Sequence, residues 1–164
     1  MRPFSFVHVP KTGGMSIRSA IAGGGNHIRA SEVTGFRVAF VRHPFTRLHS
    51  AFEFLRDPAW TQCQVPADLT FEQFVLSRGW ERWPNPLFEP MTYWIDAPCG
   101  FIGRFESLGA DFDRLCAILD IQRPVALPHL HRQLSDRRPT WTAEMRAVAL
   151  DAYRTDFEGF GYGS

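Results

Sequence analysis

Phe4-Ser5-Phe6-Val7-His8-Val9-Pro10-Lys11-Thr12-Gly13-Gly14-Met15-Ser16-Ile17 is the stretch that decides how this chain folds. The apolar run from Phe4 to Val9 reads as a buried strand. Pro10 ends it, and Thr12-Gly13-Gly14 makes a tight turn that lets backbone approach a ligand closely. Ser16 to Ala22 then reads as a helix, stopped by Gly23-Gly24-Gly25-Asn26. A strand, a glycine turn and a helix start together form an anion cradle. The first N–H groups of the helix and the positive end of its dipole both face the turn. Lys11 is the only lysine in the chain, the other seventeen basic residues being arginine. The turn therefore predicts binding of phosphate or sulfate, although a Gly-Gly pair after a strand also makes ordinary loops. The lysine precedes the glycines, so the spacing is not the G-x-x-x-x-G-K-[ST] loop of nucleotide hydrolases.

A second strand-to-helix unit follows. Arg37 to Val41 is apolar and β-branched, and His43-Pro44 ends it with a proline suited to a first helical turn. Phe45, Leu48, Phe52 and Leu55 recur at helical spacing, which predicts a helix from about 44 to 56. Two such units in the first third imply an α/β fold, a parallel sheet flanked by helices with right-handed crossovers. Arg42 falls just past the end of its strand, where parallel sheets bind ligands. Ser50 lies about two helical turns on, offset from the apolar stripe. An arginine fork and a hydroxyl suit one phosphate. Taken singly, each is also an ordinary helix-start arginine or solvated serine.

The rest of the chain is less regular. Thr70-Phe71-Glu72-Gln73 is a capping-box pattern that opens a short helix through Ser77. Trp80 to Pro98, rich in Trp and Pro, reads as irregular. Phe101 to Phe105 reads as a short strand, and Leu108, Phe112, Leu115, Ile118 and Leu119 mark a helix. Pro124 to Pro139 reads as a long polar loop carrying His129, His131, Arg132, Arg137 and Arg138. Loops of this length in compact domains are usually functional. Thr142 caps a last helix with Met145, Val148, Ala149 and Ala152 inward.

At 164 residues, 45% hydrophobic and 14% aromatic, residues 1–164 read as a single domain with ample core material. No run approaches the roughly eighteen apolar residues of a membrane span, and the first strand begins at once, with no leader pattern before it. Cys63, Cys99 and Cys116 lack metal-type spacing. Cys116 falls in an apolar helical pattern, Cys63 and Cys99 are open to pairing, and free thiols in a reducing, cytoplasmic compartment are the expectation. The net charge of +1 conceals an asymmetry: residues 1–56 hold eight Lys/Arg against two acids, and residues 57–164 hold ten against fifteen. Positive field thus gathers around the glycine turn. The basic residues form no run along one face, so nucleic acid is not an expected partner. Sequence leaves the oligomeric state open.

The two anion motifs combine into a recognisable pattern. Val9-Pro10-Lys11-Thr12-Gly13-Gly14-Met15-Ser16 resembles the 5′-phosphosulfate loop of sulfotransferases, and Arg42 followed by Ser50 resembles their 3′-phosphate motif. Ile102-Gly103-Arg104-Phe105-Glu106-Ser107-Leu108 and the tail from Tyr153 to Tyr162 are similar to the carbohydrate branch, which includes the heparan 2-O-sulfotransferases. The resemblance implies a minimal P-loop-like sulfotransferase fold. It also implies a cofactor, 3′-phosphoadenosine 5′-phosphosulfate, with adenosine 3′,5′-bisphosphate as product and no metal, and a small-molecule or glycan acceptor. It assigns Lys11 to the bridging oxygen and sulfuryl group, and Thr12, Gly13, Gly14, Met15 and Ser16 to the cradle of the 5′-phosphate. Arg42 and Ser50 fall to the 3′-phosphate. The 129–138 region falls where family members close a loop over the nucleotide.

Six histidines compete for the role of base. His8 lies in the first strand; His43 and His49 flank the 3′-phosphate motif; His129 and His131 lie in the long loop. His27 begins a segment, His27 to Val33, that looks like the one carrying the catalytic histidine of heparan 2-O-sulfotransferases, and an imidazole's pKa near 6.5 suits the task. Glu32 and Glu53 are rival bases, and Glu32 alternatively orients an imidazole. Trp60, Trp80, Trp83 and Trp94 either line an acceptor cleft or fill the core. Two other functions stay open: a phosphotransferase on a similar scaffold, disfavoured by the lack of a carboxylate pair for magnesium, and a nucleotide- or sulfate-binding module without transfer activity.

Overall fold

A computed structural model describes residues 2–21, 27–59, 65–122 and 139–163. The fold is α/β, built on a three-stranded parallel sheet. Strand β1 (Phe4–Val7) pairs with β2 (Phe36–Val41), and β2 with β3 (Phe101–Arg104). The register sets Val7 opposite Ala39 and Val41 opposite Arg104. β1 is two residues shorter than expected and β2 begins one earlier. Parallel neighbours cannot be joined by a tight turn; between β1 and β2 the chain instead runs through α1 (Gly14–Ile21). That helix starts two residues before the position expected from sequence, at the second glycine itself. Its expected stop, Gly23 to Asn26, lies outside the described residues.

The chain divides into two compact units. The first, Met1–Arg42 with Met91–Arg132, contains the sheet. Its core joins Phe6, Val38, Phe40 and Phe101 from the strands to Ile17 of α1 and to Phe112, Leu115, Cys116 and Leu119 of α6 (Leu108–Leu119). Ile118, one of the residues that mark this helix in the sequence, is 41% exposed. The inward stripe is Phe112, Leu115, Cys116 and Leu119, and Ile118 stands a further 100° round the helix. Asp111 fastens α6 to the end of β3. Its carboxylate accepts from Arg104 N–H (2.8 Å), Ser107 Oγ (2.8 Å) and Arg114 (3.0 Å). Burial pushes the Asp111 carboxyl up, but those three donors outweigh it and hold it below the ordinary carboxylate value.

The second unit, His43–Pro90 with Gln133–Ser164, is helical. Helix α2 (Pro44–Arg56) has the expected bounds. His43 Nδ1 accepts from Phe45 N–H (3.3 Å), and its Nε2 donates to Gly163 O (3.2 Å), so this histidine is a helix cap. Thr70 and Gln73 form the expected capping box at α3 (Phe71–Leu76). The Trp80–Pro98 stretch is not irregular throughout. It holds α4 (Gly79–Arg82), a 3-10 turn over Pro86–Phe88 and α5 (Met91–Trp94), pieces too short for a periodic signal. Helix α7 (Ala143–Ala152) is capped by Thr142 as expected, with Met145 and Ala149 buried and Val148 and Ala152 partly so. Tail residues Arg154–Phe160 form α8, for which the sequence reading assigned no element.

Arg47 is the largest polar side chain in this core, 1% exposed. It donates to Leu87 O (3.1 Å) and Glu89 O (2.7 Å), while Tyr153 Oη donates to Phe88 O (2.8 Å). Loop carbonyls between α4 and α5 thus find charged and neutral donors where water does not reach. Removing a charged buried donor strands its acceptors, whereas removing one neutral hydroxyl strands one. Arg47→Met is therefore expected to lower unfolding free energy by about 3 kcal/mol and Tyr153→Phe by about 1 kcal/mol. Urea titration of the two variants checks the order.

Candidate anion site at the strand exits

The exit of β1 is a backbone under local constraint. Lys11 has φ +64° and Gly13 φ +82°, both left-handed. Glycine takes such angles without penalty, whereas a lysine there is strained by roughly 1–3 kcal/mol. Thr12, fully buried, donates its hydroxyl to Val9 O at 2.9 Å and closes the turn from inside. Its proton is thereby spent on the loop, so Thr12 shapes the turn through its side chain. Gly13 O accepts from Ser16 N–H (3.1 Å) and Ile17 N–H (3.4 Å), so Gly13 caps the start of α1. The N–H groups of Gly14 and Met15 then have no acceptor further back in the helix. A Cβ on Gly14 would fall inside the His8 ring, so only glycine fits between that ring and the helix start. Met15 is 44% exposed and Ser16 is buried.

The exit of β2 brings Arg42 to the same place. Its guanidinium donates to Lys11 O (3.3 Å) and lies over the Phe105 ring, 4.2 Å from the centroid. Its backbone N–H meets Met91 Sδ at 3.4 Å. Burial, then the neighbouring Arg42 charge, pulls the Lys11 ammonium down to about 8. Two cations therefore share one partly buried corner at the carboxyl ends of adjacent parallel strands.

His27 stands beside this corner. Its Nδ1 is 2.9 Å from His8 O, a contact that makes Nδ1 the protonated nitrogen, because a carbonyl only accepts. Nε2 is then the lone-pair nitrogen of the neutral ring. His27 stacks on His8 (4.3 Å between centroids) and tilts against Trp94 (5.7 Å). His8 is buried, and burial, then His27, then Arg18 pull its pKa down to about 3, so it is neutral at neutral pH. The His27 segment is also pinned from the far side. Arg29 reaches Asp96 (2.6 Å) and Tyr93 O (3.2 Å), and Ser31 binds Asp96 through both N–H (2.9 Å) and Oγ (2.6 Å). Partners more than sixty residues apart leave no local signal, so this network is invisible until the chain folds.

The rival bases have other work. Glu32 accepts from Arg29 N–H at 2.8 Å and caps its own turn. Glu53 lies 3.7 Å from His49 and 3.6 Å from Arg56 on α2. Trp80 and Trp83 pack against Phe74 in the second unit, and Trp94 is 5% exposed in the first. Ser50 is buried on α2, within the second unit. Cys99 and Cys116 are free thiols. Trp60, Cys63, His129, His131, Arg132, Arg137 and Arg138 lie outside the described residues. Among the described residues no cluster of His, Cys, Asp or Glu is arranged to hold a metal ion, and no helix is long and apolar enough to cross a membrane.

Comparison with known families gives one match. Residues 23–163 match the family model described as the sulfotransferase family. The chain belongs to the sulfotransferase family. The match takes in Arg42 and Phe105 but begins after the Lys11 turn, so the cradle rests on its own geometry. No curated protein and no solved structure gave a match.

Lys11 also links the site to stability. Its folded pKa lies below the unfolded value, so the fold disfavours the ammonium wherever both states are charged, below about pH 8. Between about pH 8 and 10.5 the unfolded state binds more protons, and stability rises with pH. Lys11→Met is expected to raise the melting temperature of the ligand-free protein at pH 7, the gain shrinking as pH climbs through that window. Thermal melts of both proteins from pH 6 to 10 measure it.

Proposed function

We propose that this chain transfers the sulfuryl group of 3′-phosphoadenosine 5′-phosphosulfate to an acceptor hydroxyl on a carbohydrate. The observation that carries the reading is the meeting of Lys11 and Arg42, with a guanidinium held on the lysine's own carbonyl. The donor set suits the cofactor: an ammonium, a guanidinium and a helix start, all offering N–H to anions. Burial and the Arg42 charge make the Lys11 ammonium costly, and a nearby phosphosulfate would favour its charged form.

When bound, the cofactor supplies an electrophilic sulfuryl group and a phosphate able to leave with its negative charge. Lys11 and the Gly14 and Met15 N–H groups neutralise charge growing on that phosphate. Lys11 and the first N–H groups of α1 belong to one left-handed turn, so positioning and neutralisation come from one element. Arg42 binds the 3′-phosphate; Ser50 joins it in this reading on the sequence pattern. His27 takes the acceptor proton on Nε2, with Nδ1–H held by His8 O. The neutral His8 ring adds no charge beside it. Asp96, through Arg29 and Ser31, keeps the His27 segment in place. The carbohydrate acceptor is supported by the Ile102–Leu108 and Tyr153–Tyr162 stretches, and a cytoplasmic setting is part of the same reading.

Two measurements test this. Adenosine 3′,5′-bisphosphate should stabilise the protein well beyond ATP or AMP, by about 2.7 kcal/mol at a hundred times its dissociation constant. That preference should vanish in Arg42→Ala and Ser50→Ala. Equal response of the wild type to ATP would sink the reading. In a transfer assay, His27→Ala should keep bisphosphate binding while turnover falls by roughly a hundred- to ten-thousand-fold. Unchanged turnover would remove His27 from the mechanism.

A further inference from the structure

The stretch Ile102–Leu108 entered above only as a mark of family, yet its central ring touches both anion-binding elements. Phe105 lies in a 3-10 turn, Phe105–Ser107, between β3 and α6. One face of the ring carries the Arg42 guanidinium at 4.2 Å. Its Cδ2 and Cε2 stand 3.1 Å and 3.3 Å from where a Cβ on Gly13 would sit, so the ring edge fills the space at the left-handed glycine. The backbone on either side of Phe105 is fixed. Arg104 N–H, just before this turn, and Ser107 Oγ, on its last residue, both bind the buried Asp111 carboxylate at 2.8 Å. The ring therefore sits on a stapled corner and meets the Lys11–Gly13 turn and the Arg42 fork together.

We propose that Phe105 is a positioning residue that fixes the spacing between the 5′-phosphosulfate and 3′-phosphate subsites, and so sets preference for a nucleotide phosphorylated at both ends. The inference rests on the proposed function. The guanidinium is planar, and stacking on the ring fixes its plane. One N–H is engaged by Lys11 O, so that bond and the ring together set the orientation of the guanidinium. Without the ring, Arg42 keeps its charge but loses that direction. The 5′ end, held by backbone N–H groups and Lys11, keeps its own donors. A residue acting in this way changes the ratio of affinities for doubly and singly phosphorylated nucleotides. A residue needed only for packing lowers both affinities in parallel.

The test is calorimetric titration of wild type, Phe105→Leu, Phe105→Met and Phe105→Tyr with adenosine 3′,5′-bisphosphate and with AMP. Leu and Met keep apolar volume without a ring; Tyr keeps the ring. The expected result is a bisphosphate-to-AMP affinity ratio reduced about three- to tenfold in Phe105→Leu, with AMP affinity within about twofold of wild type and the ratio retained in Phe105→Tyr. Phe105→Met gives the same reading should the Leu variant fail to fold. A selective wild type whose ratio survives in both ringless variants overturns the role of Phe105 and leaves the proposed function standing. A parallel loss for both ligands also overturns it, as a packing effect. A wild type without preference for the bisphosphate overturns the function itself, and the role of Phe105 with it.

Discussion

The hydrogen bond from Arg42 to the carbonyl of Lys11 is the constraint on which the rest of the site depends. A lysine in the left-handed region is unfavourable, and a neighbouring guanidinium makes its ammonium harder to keep. Yet the same guanidinium holds the carbonyl that the left-handed turn throws outward. Repulsion between the two charges and attraction between the fork and the peptide dipole thus act on the same pair. The result is two cations kept close with neither relaxing away, an arrangement that stores no benefit for the empty protein.

Sheet topology makes that pairing short-range. β1 and β2 are adjacent parallel strands, so their carboxyl ends open side by side and their exit loops meet. β3 lies on the other side of β2, with Arg104 opposite Val41, and delivers Phe105 to the same end. Asp111 then secures that delivery, because its carboxylate takes donors from both ends of the turn. A buried carboxylate is costly unless its partners are good, and here three donors outweigh the burial. Fold and site are joined at this point: the contact that ties α6 to the sheet also sets the ring beneath Arg42.

The strand exits were legible in the sequence because each is a local pattern. An apolar run, a breaker, a glycine pair and a helical stripe identify β1, the turn and α1 within fourteen residues, and β2 with α2 reads in the same way. The family could be recognised for the same reason. What escaped is what depends on distant partners. Nothing near His27 announces that Asp96 will hold its segment through Arg29 and Ser31, and nothing near Phe105 announces Arg42 above it. Arg47 carries no signal of its own, because a basic residue in an amphipathic helix reads as solvated. Its burial is visible only once Leu87 and Glu89 turn their carbonyls inward. The short helices between Gly79 and Trp94 were missed since four residues show no period. The Thr12 hydroxyl closes the turn onto Val9 O beside a left-handed Lys11, a backbone detail that no sequence pattern encodes.

The histidine pair extends the same logic to catalysis. Two stacked imidazoles beside two cations would be untenable if both rings were protonated. Burial settles the conflict by keeping His8 neutral, which frees its carbonyl and ring face to orient His27 without adding charge. The close approach of the His8 ring to Gly14 ties that orientation to the start of α1. The His27 ring and the glycine turn lean on the same strand exit, since His8 meets both. The second glycine of the pair is therefore required less for its own freedom than for the space it leaves a neutral histidine.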